Sequence, residues 1–193
     1  MFIPTTPLTG TNGAGLVHLR LIETTDLHLH LMPWDYYADR PQSGIGLAAA
    51  AGAIARARAE APNALLFDNG DFLQGTPLGD WAAAHRGPAF GGVRGSAHPA
   101  IAAMNALGYD AITLGNHEFN YGLDFLLASL GGLDCPVVSA NLALAQGATP
   151  ERDRHLVPPW ALLERRVVDQ IGNEVLFPLS QILCFFIQFS NKL

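Results

Sequence analysis

Three short apolar segments of the chain each run directly into a group of acidic, amide or imidazole side chains. With the polar residues that follow them, these segments are VHLRLIETTDLH at 17–28, ALLFDNGD at 64–71 and AITLGNHE at 111–118. Segments of helical composition separate them, and strands that alternate with helices predict an open α/β sheet with parallel strands. In such sheets the functional residues collect at the carboxyl ends of the strands, so we expect the three polar groups to meet at one edge.

The predicted elements follow from apolar runs and their stop signals. The stretch 44–61 is rich in Ala and carries Arg56 and Arg58 near its end, where cations suit the helix dipole. His98 is predicted to begin a helix, and Gly108 stands at its usual stop position. The predicted strands cover 17–24, 64–67, 111–114 and 136–140, and the predicted helices cover 44–61, 78–84, 98–107 and 123–130.

Composition is that of one globular domain. The 193 residues, 49% of them hydrophobic and 15% charged, can bury a sizeable core. The net charge of -6 argues against a nucleic acid polymer as partner, because such binding needs a basic surface. The longest apolar stretch, 182–189, is far shorter than the roughly 20 residues that span a bilayer. No membrane or protein partner is therefore expected.

The two ends of the chain differ from its body. Residues 1–15 are rich in Thr, Gly and Pro and show no export signal, so they are predicted to form a flexible arm. Residues 176–193 turn to Phe, Ile, Ser, Gln and Asn and contain the only Lys, Lys192. The codons for Phe, Ile, Asn and Lys are AT-rich, whereas those for Ala, Gly, Arg and Pro, which are common in the body, are GC-rich. Our hypothesis is that the tail arises from a frameshift, an insertion or a misplaced end. An ordinary apolar C-terminal strand is the alternative.

Oxygen and imidazole groups, not thiolates, supply the candidate metal ligands. Cys135 and Cys184 are too few and too scattered for a disulfide framework or a zinc site, and both are predicted to be buried apolar side chains. Asp26 and His28 have period-two spacing, so at the end of an extended strand their side chains would point the same way. The pair suits Mn, Fe, Zn or similar ions, although alone it is also typical of a loop turn.

The other two strand ends add ligands of the same kind. Asp71 is a carboxylate able to bridge two ions, with a turn residue in Asp-Asn-Gly-Asp as the alternative. Asn116 offers an amide oxygen, and His117 offers an imidazole that can donate to a phosphate oxygen or a leaving oxygen. Three strand ends that bring such ligands to one edge predict a metal site.

Several runs of the sequence carry a resemblance to a known family. The runs are ETTDLH (23–28), MPWDYY (32–37), DNGDFLQGTPLGD (68–80), HP (98–99), MNALGYD (104–110) and GNHEFNYGL (115–123). Over roughly residues 16–172 the chain resembles the bacterial 2',3'-cyclic-nucleotide 2'-phosphodiesterase/3'-nucleotidases. The wider 5'-nucleotidase family more often has Asp where Asn120 stands, so the Asn-Tyr-Gly-Leu continuation favours the cyclic-phosphodiesterase branch.

The resemblance implies a four-layer αββα metallophosphatase (calcineurin-like phosphoesterase) domain over residues 16–175, with two divalent ions. It implies that the first ion is held by Asp26 and His28, that Asp71 bridges the two ions and that Asn116 binds the second. His117 would stabilise the transition state and assist the leaving oxygen. The ions, which could be Mn, Zn, Fe, Co or Mg, would activate a bridging water for in-line attack.

Departures from the family pattern lead us to expect an incomplete domain. The family completes its site with a downstream His and a Gly-His-x-His motif, and after His117 this sequence has only His155, in a charged stretch predicted to be a solvated loop. Family members also carry a C-terminal nucleotide-binding domain, which is expected to be absent here. Metal affinity and turnover are therefore expected to fall sharply.

Residues near the motifs receive weaker assignments. His30 is expected to have a supporting or solvent role, and Asp35 and Tyr36 belong to a family loop near the site, in function or in packing. Glu118 is expected to orient His117 or to cap the following helix.

The expected function is hydrolysis of 2',3'-cyclic nucleotides and 3'-nucleotides in nucleotide catabolism, with a small nucleotide as partner. The alternatives are hydrolysis of 5'-nucleotides or another anionic ester by the same fold, and a vestigial chain that catalyses nothing. Relatives are commonly periplasmic, whereas the absence of an export signal favours the cytoplasm.

Overall fold

A computed structural model describes residues 16–85 and 98–178 of the chain. Within these residues the strands are β1 Arg20–Thr24, β2 Trp34–Asp35, β3 Arg40–Pro41, β4 Ala64–Asp68, β5 Ala111–Ile112, β6 Ala143–Ala145, β7 Arg154–His155, β8 Glu164–Val168 and β9 Glu174–Pro178. The helices are α1 Leu47–Ala59, α2 Pro77–Ala84, α3 Pro99–Leu107 and α4 Leu123–Leu130. The predicted arm 1–15 and the tail residues 179–193 lie outside the described residues.

The predicted parallel sheet is confirmed, with strand order β1-β4-β5. β4 is almost entirely buried because it lies in the middle, with β1 on one side and β5 on the other. The predicted fourth strand, 136–140, forms only a single parallel bridge between Val137 and Ile112. Two backbone hydrogen bonds, Ile112 N–H to the Pro136 carbonyl and Val138 N–H to the Ile112 carbonyl, both 3.0 Å long, hold this bridge.

Apolar residues pack against the sheet in two separate clusters. Leu66 belongs to the larger cluster and its neighbours Leu65 and Phe67 to the other, as the alternation of side chains along a strand requires. The larger cluster includes Phe72, Leu73, Ile101, Met104 and Leu126, all almost fully buried. Two buried faces leave the strand ends as the place where polar side chains reach water.

Helix α1 begins three residues later than the predicted range 44–61. Leu47 N–H donates to the His30 carbonyl at 2.8 Å, and Ala48 N–H donates to the Leu31 carbonyl at 2.9 Å. Gly46, with φ +82°, lies so close that a Cβ there would be 2.6 Å from the Met32 carbonyl oxygen. Contacts with a distant loop, and not the Ala-rich sequence, therefore fix where this helix starts.

The predicted limits of α3 are confirmed by its caps. The His98 ring accepts a hydrogen bond from Ala100 N–H at 3.2 Å, and Gly108 ends the helix with φ +64°. The Arg58 guanidinium donates to the carbonyls of Leu107 and Gly108. His98 is thus a helix-start residue, as the sequence predicts.

The antiparallel hairpin β8–β9 is attached to the parallel sheet by partly buried polar contacts. The Asn63 side-chain amide donates to the Val168 carbonyl at 2.7 Å and accepts from Val168 N–H at 2.7 Å. This pair of bonds resembles the pair that two strands form between their backbones. Asp110 accepts from Arg165 and from Leu66 N–H, both at 2.8 Å. β9 includes residues 176–178, the start of the compositionally distinct tail.

His155 differs from its prediction as a solvated loop residue. It lies in β7, where it pairs with Ala143 of β6, and it is half-buried with an unpaired Nδ1 atom among the described residues. Its neighbours Leu156 and Val157 pack on the larger core cluster, and the charged stretch 152–155 therefore lies against the protein surface. Cys135 is half-buried against the same cluster, and burial raises its pKa to about 11.

None of the helices in the described ranges is long and apolar enough to cross a bilayer.

Candidate metal centre

Three side chains predicted as metal ligands lie together at the carboxyl edge of the sheet. Asp26 and His28 follow β1, Asp71 follows β4, and their ligand atoms all lie within 4.8 Å of one another. Asp26 is exposed, and the other two side chains are half-buried. The structure therefore brings two carboxylates and one imidazole to a solvent-accessible point, a combination that suits divalent metal ions.

The backbone that presents these ligands is strained. Asp26, His28 and Asp71 have φ values of 55°, 47° and 62°, in the left-handed region that side chains with a Cβ disfavour. Hydrogen bonds from Asp26 N–H to the Gly70 carbonyl and from His28 N–H to the Asp71 carbonyl hold the two loops together. The predicted reason for the pairing of Asp26 and His28 is therefore wrong. β1 ends at Thr24, and a left-handed loop, not the pleat of a strand, brings the two side chains together.

The hydrogen bond of His28 prepares the ring to bind a metal. Its Nδ1 lies 2.9 Å from the Gln74 carbonyl oxygen, which can only accept, so Nδ1 carries the proton. Nε2 then keeps its lone pair, and it lies 3.7 Å from Asp26 Oδ1. A histidine that donates one ring N–H to a carbonyl and turns the other nitrogen to the ion is the usual arrangement in metal sites.

Two glycines allow the loop after β4 to touch the loop after β5. A Cβ at Gly70, which has φ +98°, would overlap the backbone nitrogen of Gly115, and a Cβ at Gly115 would overlap Asp71 Oδ1. The same Oδ1 accepts a hydrogen bond of 2.8 Å from His117 N–H. The Asp71 carboxylate is thereby fixed against the third polar motif.

Asn116 and His117 lie beside this cluster. The His117 ring meets the His28 ring edge-on, with 5.1 Å between the centroids, and its Nδ1 is 3.2 Å from Nδ2 of Asn120. Asn116 is exposed and lies between Gly115 and His117, whose backbones both approach Asp71. All five predicted site residues, from three strand ends, thus share one edge of the sheet.

Glu118 contacts neither the His117 ring nor the following helix in the way its sequence position suggested. Its carboxylate is fully buried and accepts hydrogen bonds from the backbone N–H groups of Asp71, Phe72, Leu73 and Gly115. Burial raises its pKa, and the four donors act against that rise. Sequence reasoning found the residue but not its partners, because they lie more than forty positions away, apart from Gly115.

The hydrogen bonds and ring contact of the His30, Asp35 and Tyr36 side chains lie within their own loop. His30 Nε2 lies 2.9 Å from the Trp34 carbonyl oxygen, and its ring meets that of Tyr36 edge-on. Asp35 Oδ1 accepts from the N–H groups of Tyr37 and Ala38, and the Ala38 bond is the main cause that lowers the Asp35 pKa. These contacts shape the turn between β2 and β3.

Asp68 is a buried carboxylate behind the cluster that sequence reasoning missed. It accepts from Thr24 Oγ1 at 2.5 Å and from Gly70 N–H at 3.0 Å, and Thr24 also bonds the Tyr109 hydroxyl. Burial raises its pKa from 3.8 to about 7. A charged residue at the end of an otherwise apolar strand was the available signal.

Asp68→Asn is expected to remove a pH-dependent loss of stability. Between pH 3.8 and about 7 the folded protein holds on Asp68 a proton that the unfolded chain has released. The free energy of unfolding therefore falls as pH rises across this range, by at most ~1.4 kcal/mol per pH unit. Urea unfolding of metal-free protein across this range should give a steeper fall for wild type than for the variant. Equal slopes would contradict the prediction.

Comparison with known proteins finds relatives over most of the chain that are named as nucleotide phosphoesterases and nucleotidases, although no protein-family model matches it. It is 42% identical to the trifunctional nucleotide phosphoesterase YfkN of Bacillus subtilis over 176 residues, which cover 90% of this chain and 12% of that protein. It is 44% identical to the 2',3'-cyclic-nucleotide 2'-phosphodiesterase/3'-nucleotidase of Yersinia enterocolitica over 165 residues, 86% of this chain and 24% of that protein. The crystal structure of the calcineurin-like phosphoesterase YfkN superposes with a TM-score of 0.76 at 42% identity, over 84% of this chain and 46% of the other.

The parallel sheet, with acidic and imidazole groups at its edge, is that of a calcineurin-like phosphoesterase. Within this class the chain is similar to bacterial proteins named 2',3'-cyclic-nucleotide 2'-phosphodiesterase/3'-nucleotidase, at 41% to 44% identity, and to a 5'-nucleotidase, at 32% identity. The resemblance in the sequence is thereby confirmed. The chain spans 12% and 24% of the length of the two curated relatives compared above.

Proposed function

We propose that this chain provides the metal centre of a phosphoric ester hydrolase that acts on 2',3'-cyclic nucleotides and 3'-nucleotides. The observation that carries the proposal is the convergence of Asp26, His28 and Asp71 within 4.8 Å. All three hold left-handed backbones, and strain of this kind persists mainly where function requires it. The substrate class follows the relatives of that name at 41% to 44% identity and the Asn at position 120.

The residues of the cluster fit the groups that a two-metal phosphoesterase needs. Asp26 and His28 would hold the first of two divalent ions, Asp71 would bridge them and Asn116 would hold the second. Bound there, the ions would lower the pKa of a water molecule towards neutrality and offset charge on the phosphate. The carboxylates and the imidazole that lie together supply the oxygen and nitrogen donors for which such ions have affinity.

His117 would act on the substrate directly. Its Nδ1 lies beside the Asn120 side chain at 3.2 Å, which leaves Nε2 to face an incoming phosphate ester. A proton on Nε2 can be donated to a phosphate oxygen or to the leaving oxygen as the ester bond breaks. The reaction then requires no nucleophile from the protein, because water attacks.

The test separates metal binding from turnover. Calorimetric titration of the purified chain with Mn²⁺ or Co²⁺ is expected to show binding that a chelator reverses. For turnover, residues 16–172 replace the matching segment of the Yersinia protein, and the chimera is given bis-aryl phosphate, 3'-AMP and 5'-AMP. We expect metal-dependent hydrolysis with faster phosphate release from 3'-AMP.

Each outcome of this test decides a different point. Faster release from 5'-AMP would overturn the substrate class and leave the fold and metals in place. An active chimera together with an inactive free chain would show that turnover needs residues beyond those of this chain. No metal binding and no turnover in either protein would reject the metal centre and favour a chain that catalyses nothing.

A further inference from the structure

The Glu118 carboxylate is a fully buried acceptor for backbone groups of two separate loops. Oε1 accepts from Phe72 N–H at 2.7 Å and from Leu73 N–H at 3.2 Å. Oε2 accepts from Asp71 N–H at 2.8 Å and from Gly115 N–H at 2.7 Å. One side chain therefore joins the loop that carries Asp71 to the loop that carries Asn116 and His117.

Such a carboxylate is costly to bury unless its oxygens are satisfied, and here four N–H groups satisfy it. Three of these groups are consecutive, 71 to 73, and consecutive N–H groups in a turn that contains left-handed residues can converge on one anion, whereas those of a strand point to alternate sides. Gly70 at φ +98° and Asp71 at φ 62° provide that departure. The strained backbone of a candidate metal ligand and the buried Glu118 carboxylate therefore depend on each other.

The hydrogen bonds give no support to the two alternative roles for Glu118, the cap of the following helix and the orientation of the His117 ring. Helix α4 begins after Gly122 with no side-chain cap, and the Nδ1 atom of His117 faces Asn120. Asp71 takes part in both hydrogen bonds. Its backbone N–H donates to Glu118, and its Oδ1 accepts from His117 N–H. The hydrogen bonds thus run from Glu118 through the backbone of Asp71 to its carboxylate and back to His117.

We propose that Glu118 is a positioning residue, which holds the Asp71 carboxylate at the distance from Asn116 and His117 that a shared pair of metal ions requires. It acts on backbone groups and touches neither metal nor substrate. This inference rests on the proposed metal centre. The Glu118 carboxylate joins the loops that follow β4 and β5, so that the ligands keep their geometry when no ion is bound.

The test compares the buried Glu118 carboxylate with the half-buried Asp110 carboxylate, both of which accept backbone N–H groups. Glu118→Gln keeps the shape of the side chain but replaces one oxygen by an NH₂ group that faces donors. Asp110→Asn is the matched control, because Asp110 accepts from Leu66 N–H and from Arg165 but serves the β8–β9 hairpin. Both variants and wild type are titrated with Mn²⁺ by calorimetry, and their thermal unfolding is measured.

Both variants are expected to unfold at lower temperature, but only Glu118→Gln should weaken Mn²⁺ binding, by about tenfold or more, as loss of an outer support does in metal sites. Equal Mn²⁺ affinity in Glu118→Gln and wild type would overturn the proposal. So would an equal loss in both variants, since that would show a general effect of destabilisation. If Glu118→Gln does not fold, Glu118→Asp replaces it, with the same expectation and the same refutation.

Amide hydrogen exchange distinguishes failure of this inference from failure of the proposed function. In metal-free protein, Glu118→Gln should increase exchange at residues 71–73 and 115 relative to Asp110→Asn. A wild-type chain that binds no Mn²⁺ would reject both the metal centre and the positioning role, whatever the exchange shows. Mn²⁺ binding by wild type, with unchanged exchange at these amides in the variant, would reject only the role of Glu118.

Discussion

Asp71→Asn is expected to remove Mn²⁺ binding almost completely, with a loss of affinity on the order of a thousandfold. A unit charge about 4 Å from another contributes roughly 4 kcal/mol at the effective dielectric constant of a protein surface, which corresponds to about a thousandfold in affinity. The Asn side chain keeps Oδ1 and so keeps the 2.8 Å hydrogen bond from His117 N–H. The variant therefore keeps this contact but loses the charge and one of the two carboxylate oxygens. Calorimetric titration with Mn²⁺ measures the combined effect.

Metal-free Asp71→Asn should be as stable as wild type or more stable. Asp26 and Asp71 have ligand oxygens within 4.8 Å of each other, and two carboxylates at that distance repel when no cation lies between them. A stabilising substitution that destroys binding is typical of a functional site. Urea unfolding without metal provides the measurement.

Asp39→Asn is the matched control for this prediction. Asp39 is exposed and has a left-handed backbone with φ 49°, as Asp71 does with φ 62°, but it lies in the loop between β2 and β3. Its substitution should leave both Mn²⁺ affinity and stability unchanged. Asp71→Asn with Mn²⁺ affinity within threefold of this control would remove the main support for the metal centre.

Elements whose signals are local could be predicted from the sequence. The helix α4 has the predicted limits, 123–130, because an apolar run and a terminal glycine pair define it without help from the rest of the chain. α3 is predicted to within one residue for the same reason, with its His98 cap and Gly108 stop. The parallel order of β1, β4 and β5 follows from the alternation of strands and helices.

Elements that depend on distant partners could not be predicted. The hairpin β8–β9 is fixed by Asn63 and Asp110, which lie 105 and 55 positions away from the residues they bind. The sequences of β8, ERRVV, and β9, EVLFP, contain no periodicity that would indicate these contacts. The start of α1 at Leu47 is likewise set by carbonyls of the loop at 30–31.

The candidate site shows the same division at the level of side chains. Residue type and position at strand ends were enough to group Asp26, His28 and Asp71. The geometry that groups them was not predictable, because the segments after β1 and β4 leave the extended conformation and depend on glycine contacts across the loops. The contacts of Glu118 were not predictable either, because the sequence does not indicate which backbone groups a Glu side chain will bind.

The contact between Gly115 and Asp71 gives the second large expected effect. Gly115→Ala should lower Mn²⁺ affinity about a hundredfold, because a Cβ there would overlap Asp71 Oδ1 and lie 2.7 Å from Asp71 Cγ. Either the carboxylate turns away from the cluster or the two loops separate, and loops that separate also lengthen the Glu118 bonds. Overpacking of this kind costs roughly 1–3 kcal/mol of stability. Calorimetry with Mn²⁺ and urea unfolding measure the two effects.

Gly131→Ala is the control that separates crowding from the change of residue type. Gly131 ends α4 with φ -60°, and a Cβ there would meet the Ala128 and Leu127 carbonyl oxygens at ordinary distances of 3.5 and 3.6 Å. That variant should change stability by less than about 0.5 kcal/mol and leave Mn²⁺ binding unchanged. If Gly115→Ala binds Mn²⁺ as tightly as Gly131→Ala, then the close approach of the two loops does not position Asp71, and the ligand cluster must tolerate a wider spacing than the structure has.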